Sequence, residues 1–240
     1  MIRPHGSDAL IPLLVDDPVR RETLQKEAET LPSLLLNSAA AANAVMLGAG
    51  YFTPLKGFMS KQDILSVAKN MRTVDDVFWP VPVANLTDQG DAFKAGDRIA
   101  LRDPNVEGAP LIAIQDITAA ERLSSDELAL IAREVYGTTD EDHPGVATFM
   151  SLGQTALCGP IEVLNLSYFE TDFPETFRTA GQIRAEINNR GWRTVVAFQT
   201  RNPMHRAHEE LCKMARDAVH ADGILIHMLL GKLKPGDIPA

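Results

Sequence analysis

The stretch "VVAFQTRNPMHRAHEEL", residues 195–211, decides the fold. With Thr194 before it, the apolar run to Phe198 reads as a strand of the continuous, buried kind that parallel sheets use. The run ends at Gln199. Asn202 then reads as a helix N-cap, and Pro203 suits the first helical position, where a missing N–H costs nothing. That helix is expected from about Pro203 to Val219. A second apolar run, "GILIHMLL" (223–230), follows it. Strand, helix and strand in that order make a β-α-β unit with a right-handed crossover.

Upstream, "TDFPETFRTAGQIRAEINNRGW" predicts another helix. Asp172 is its candidate N-cap, with Pro174 in the first turn and Glu175 three residues after the cap. Phe177, Ala180, Ile183 and Ile187 fall on one helical face, and Gly191 stops the helix.

Residues 1–168 have a different style, with many short elements. "DPVRRETLQKEAETL" (17–31) reads as a helix after an Asp-Pro start, and "SSDELALIAREVYG" (124–137) as a helix with a Ser cap and Gly137 at its end. "SLLLNSAAAANAVMLGAG" begins apolar, turns Ala-rich and breaks at Gly48 and Gly50. "VFWPVPVANL", "RIALRD" and "PLIAIQDI" are β-like runs, separated by the turn chemistries "DQGD", "KAGD" and "DPNVEG". The reading is therefore mixed α/β: a small β-barrel or sheet with helices over 1–168, then the start of a parallel α/β domain over 169–240.

Composition excludes several classes. No apolar run reaches the length of a membrane span, and the N-terminus lacks the apolar core of a signal peptide. The two cysteines, Cys158 and Cys212, are too few for a disulfide framework or a Cys-rich zinc site. A cytoplasmic protein without a membrane partner is expected. The net charge of −9 argues against a nucleic-acid partner. Residues 1–168 hold 13 Lys and Arg against 23 Asp and Glu, a balance of −10, whereas residues 169–240 hold 10 against 9, a balance of +1.

The turn after the first parallel strand carries the chemistry. Open α/β sheets bind ligands at the carboxyl ends of their strands. A helix N-terminus there offers backbone N–H groups and a positive dipole end to an anion. Arg201 adds a planar fork for a tetrahedral oxyanion. His205 and His208, three apart, share a face of the first helical turns and can donate to phosphate oxygens. Either histidine alone would read as an ordinary surface or core residue, and Asn202-Pro203 alone as an ordinary helix start. Their combination at a strand-to-helix switch favours an anion site. A metal site is not expected, because a histidine pair with no third ligand is insufficient. After the second strand, "HMLLGKLKPGD" (227–237) brings Gly231, Lys232 and Lys234 to the same sheet edge, which repeats the anion theme.

These residues carry a resemblance. "QTRNPMHRAHEEL" followed by "HMLLGKLKPGDIP" resembles ATP sulfurylase (sulfate adenylyltransferase), whose Gln-x-Arg-Asn-Pro-x-His-x-x-His motif is matched at every fixed position. "NAVMLGAGYFTPLKGFM", "ALRDPNVEG" and "GPIEVLN" extend the resemblance over nearly all 240 residues. It implies a PUA-like β-barrel domain followed by a Rossmann-like nucleotidyltransferase domain. It implies the reversible reaction of ATP and sulfate to adenosine 5′-phosphosulfate and pyrophosphate, with Mg²⁺ on the nucleotide and no zinc site in this segment. Thr200, Arg201 and Asn202 would be the catalytic set. Gln199, Arg201, Asn202, His205, His208, Gly231, Lys232 and Lys234 would bind sulfate and nucleotide. The "GKLKPGD" form resembles the version in sulfur-oxidising and sulfate-reducing bacteria, where the reaction can run toward ATP. A homo-oligomer is expected for the full-length protein.

The family's later Gly-Arg-Asp-His-Ala-Gly motif does not occur in the sequence. A two-stranded parallel sheet is also not a stable domain. The expectation is an N-terminal fragment with part of the active site, inactive by itself. Two other readings compete: a different His-x-x-His nucleotidyltransferase, which the Gln-Thr-Arg segment disfavours, and an RNA-binding PUA-like module, which the acidic first 168 residues disfavour.

Overall fold

The structure, a computed structural model, describes residues 3–228. The chain divides into two compact units: Arg3–Ala180, and a second running from Gly181.

In the first unit the order is α1 (Pro18–Ala28), β1 (Ser33–Leu35), α2 (Ser38–Gly48), β2 (Gly57–Phe58), α3 (Lys61–Asn70), β3 (Leu86–Thr87), β4 (Arg98–Arg102), β5 (Leu111–Asp116), β6 (Ala119–Arg122), α4 (Ser125–Tyr136), α5 (Pro144–Met150), β7 (Thr155–Val163) and the short α6 (Phe169–Asp172). Their strands form one seven-stranded sheet. Strand β7 is its spine. Its first half pairs antiparallel with β3 and β6, and its second half with β2 and β5. Thr155 pairs with both Thr87 and Arg122, so β3 and β6 lie on opposite edges of β7. The change of partners falls at Gly159, whose φ is +137° and where a Cβ would come within 2.0 Å of the Asp116 carbonyl oxygen. Only glycine allows that approach.

The sheet is buried on both faces. Ile99 and Leu101 of β4 join the main core with Leu47, Ile64, Leu128 and Ile131, whereas Ala100 and Ile114 meet Leu24 and Ala28 of α1. A bulge between Leu101 and Arg102 shifts the β4–β5 register, and Ile112 and Ala113 both reach the main core. Each fully buried Leu or Ile contributes about 1.5–3 kcal/mol. Over α1, the Arg98 guanidinium bonds Glu27 at 2.7 Å, Asp116 at 2.6 Å and Glu162 at 2.6 Å.

The helix starts at 17–18 and 124–125 agree with the expectation. Asp17 caps α1, and Ser124 forms a capping box with Glu127 on α4, which ends at Gly137 in the left-handed region. Two sequence expectations change in this unit. Most of "VFWPVPVANL" is not strand. Pro80 and Pro82 lack the N–H a ladder needs, and only Leu86 of that run enters β3. Asp172 does not cap a helix but ends α6, and the next helix, α7 (Ala180–Asn189), starts eight residues later. The cause is tertiary. Phe169 and Phe177 stack at 5.5 Å and pack on the main core, and the Ala180 N–H bonds the Ala49 carbonyl at 3.0 Å. Those aromatic contacts override the Pro174 start.

The second unit continues with β8 (Val195–Thr200), α8 (Arg206–Ala218) and β9 (Gly223–Met228). Strands β8 and β9 are parallel, in register from Val195↔Gly223 to Thr200↔Met228, with α8 as their connection. The β-α-β reading holds. The expected burial of both strands does not: Ala197, Gln199, Ile226, His227 and Met228 are exposed among the described residues. At the other end of the pair, a Cβ on Gly223 would meet the Trp192 ring at 2.3 Å, so the indole occupies the space a side chain would need.

Candidate functional site

The site is built at the carboxyl end of β8. Side chains alternate along a strand. Val196, Phe198 and Thr200 are half-buried, while Ala197 and Gln199 between them are exposed. Phe198 contacts the His208 ring of α8 with centroids 5.5 Å apart, which marks the helix-facing side of the strand. Gln199 therefore projects to the opposite side. It pairs in register with His227, and Thr200 with Met228.

Beyond the strand, Thr200 closes the turn over Arg201. Its hydroxyl donates to the Asn202 carbonyl at 2.8 Å and accepts the Asn202 N–H at 3.1 Å. The single hydroxyl proton is committed to the backbone, so Thr200 offers a ligand only its remaining lone pair. Arg201 sits exposed at the apex of this small ring.

The helix begins later than the Asn-Pro pair suggests. His205, not Asn202, is the N-cap of α8, and its Nδ1 accepts the Ala207 N–H at 3.3 Å. Thr200 holds both backbone groups of Asn202, and the chain needs Pro203 and Met204 to turn before helical geometry starts. An Nδ1 that accepts leaves the His205 proton on Nε2. The first-turn N–H groups are also less available than expected. The cap takes Ala207, and the His205 carbonyl accepts from His208 at 2.9 Å and Glu209 at 3.2 Å. Among the described residues the Arg206 N–H has no intramolecular partner.

The two histidines come together as expected. Their ring centroids lie 3.9 Å apart at 33°. The His208 Nδ1 is buried and has no hydrogen-bond partner among the described residues. Glu209 and Glu210 turn to Lys213, at 2.6 and 3.0 Å, rather than into the loop, and they raise the Lys213 pKa. Gln199, Thr200, Arg201, Asn202, His205 and His208 thus share one strand end, with Gln199 on the other face. Gly231, Lys232 and Lys234 lie outside the described residues.

Sequence reasoning missed two supports. One is Phe198, which the apolar run hid among core residues. The other is Asp222, whose Oδ2 accepts the Arg193 and Thr194 N–H groups at 2.7 and 2.9 Å. Those backbone bonds hold its carboxylate below the usual range and tie the entry of β8 to the turn before β9. Among the described residues no group of three or more His, Cys, Asp or Glu could hold a metal ion, and no helix is long and apolar enough to cross a membrane.

Comparison with known proteins defines the class. The chain belongs to the PUA-like domain family, which matches residues 2–166. Residues 174–240, the strand-end site included, match the ATP-sulfurylase family. The whole chain is 62% identical to a sulfate adenylyltransferase of Allochromatium vinosum and 60% identical to one of Alcanivorax borkumensis. It spans 60% of the length of each of these relatives. Among solved structures, a chain described as hexameric APS kinase from Thiobacillus denitrificans superposes with a TM-score of 0.75 at 28% identity, over 99% of this chain and 41% of that one.

Proposed function

We propose that these residues belong to a sulfate adenylyltransferase, which joins ATP and sulfate into adenosine 5′-phosphosulfate and releases pyrophosphate. The observation that carries the reading is the β8 end, where a Thr200-closed turn exposes Arg201 just before a helix start that carries two adjoining histidine rings. The names of the relatives support it.

The chemistry asks for positioning and charge more than for covalent catalysis. A sulfate oxygen attacks the α-phosphorus in line, and the bond to the pyrophosphate oxygen breaks on the far side. Arg201 takes the compact dianion through its fork and offsets charge on the reacting phosphorus. Asn202 stays beside it because Thr200 clamps its backbone. Among the site residues, Thr200, Arg201 and Asn202 form the catalytic loop. His205 donates from Nε2 to the ATP phosphates, with His208 beside it. Gln199 contacts substrate from the other face of β8. Gly231, Lys232 and Lys234 complete the phosphate contacts. Mg²⁺ bound with the ATP would offset part of its phosphate charge. The whole protein works in the cytoplasm, where its nucleotide substrate is found, and as a homo-oligomer.

The test is ATP formation from adenosine 5′-phosphosulfate and pyrophosphate by the full-length gene product. The reading predicts ATP that depends on both substrates. No ATP, or equal ATP when another adenylylated acceptor replaces the phosphosulfate, overturns it.

A further inference from the structure

The His208 ring raises a question that the anion site does not answer: what keeps a polar ring with one nitrogen buried and unpaired in a fixed pose? Among the described residues the Nδ1 has no hydrogen bond to orient it. Two aromatic rings lie against it. The His205 ring lies 3.9 Å from it at 33°, and the Phe198 ring 5.5 Å from it at 44°. His205 is itself pinned by its bond to the Ala207 N–H. Phe198 is pinned by the strand, in register with Ile226 of β9. His208 therefore has two fixed rings beside it.

We propose that Phe198 is a positioning residue for His208, turning its Nδ1 edge into the strand–helix interface and its Nε2 outward toward the β8 end. A buried N–H without an acceptor is costly, so the proton belongs on Nε2, where solvent or an anion can take the bond. Both histidines of the pair are then Nε2–H donors, one set by a cap and the other by a ring wall. The order of the motif has a physical reading: an aromatic residue two before the Thr of the turn reaches the second histidine, and the cap handles the first. That the anion is an ATP phosphate rests on the proposed function. The tautomer does not.

Long-range proton–nitrogen correlation spectra of the full-length protein, labelled at histidine, read the tautomer of each ring. His208→Gln assigns the signal. The wild type should show His208 as the Nε2–H form. Phe198→Leu keeps an apolar side chain on the strand but removes the flat wall, and the His208 signal should move toward a tautomer average. Phe198→Tyr should restore it. In kinetics, Phe198→Leu should raise KM for ATP more than it lowers kcat, by about tenfold at most, the scale of one aromatic contact. A wild-type His208 in the Nδ1–H form overturns the proposal, as does an unchanged signal in both Phe198→Leu and a folded Phe198→Ala. If the tautomer responds and KM for ATP does not, the positioning stands and the phosphate assignment of His208 falls.

Discussion

The two units of the chain solve different problems. Residues 3–180 wrap a curled sheet whose faces are both covered, and Ile99, Leu101, Ile112 and Leu157 are all 0% exposed. In residues 181–228, Cys212 is the one buried hydrophobic side chain among those described, while Leu211 and Met214 of α8 are 52% and 67% exposed. The anion-site residues belong to the second unit. Stability is concentrated in the first and chemistry in the second, and the same kind of substitution should therefore give different results in each.

The largest effect on stability is expected in the sheet core. Leu101→Ala removes a side chain walled on all sides, and should cost about 2–5 kcal/mol by thermal or denaturant unfolding. A loss below about 1 kcal/mol would mean that the first unit is not the rigid partner in the comparison. Ser124→Ala breaks the capping box of α4 and should cost about 1 kcal/mol. Met214→Ser, on the open face of α8, should shift stability by no more than about 0.5 kcal/mol. A cost as large as that of Leu101→Ala would show that the α8 face is buried in the whole protein, and would sharpen the contrast into a statement about what covers it.

Acid tests the polar network of the first unit. Burial alone would raise the Glu162 pKa, but bonds from Arg98 and Arg20 outweigh it and hold the carboxyl below its ordinary 4.5. A depressed folded-state pKa stabilises the protein above 4.5 and loses that contribution as pH falls through the lower folded value. Glu162→Gln should lower Tm at neutral pH and flatten the fall in Tm between neutral pH and about pH 3. An unchanged acid slope would show that the Arg98 network is not coupled to folding.

How much of this was legible in the sequence differs by region too. The β-α-β order, the Asp17 and Ser124 caps and the meeting of His205 with His208 follow from local rules, and local rules decide them. The spine β7 did not stand out, because Gly159 and Pro160 interrupt "TALCGPIEV" and demote it as a strand; the interruption is the point where the strand changes partners. The start of α7 was misplaced because Phe169 and Phe177 answer to the core of the first unit, which no helical period reveals. Asn202 reads as a cap on its own merits, yet the Thr200 hydroxyl two residues earlier captures its backbone and passes the cap to His205. Phe198 looked like one more core residue, since pattern gives the face of a strand but not which ring stands opposite.

Within the site, His205→Ala removes both a helix cap and the Nε2 donor. It should cost about 1 kcal/mol of stability and a larger share of kcat/KM for ATP, so the two losses can be read separately. The most direct test is Arg201→Lys in the full-length protein, assayed for ATP formation from adenosine 5′-phosphosulfate and pyrophosphate alongside a thermal melt. Lysine keeps the charge and loses the two-pronged fork. Turnover should fall on the order of 100-fold with an unchanged Tm, because Arg201 is exposed and the first unit carries the stability. Near-normal turnover in Arg201→Lys would contradict the assignment of the β8 end as the site that holds the reacting anion.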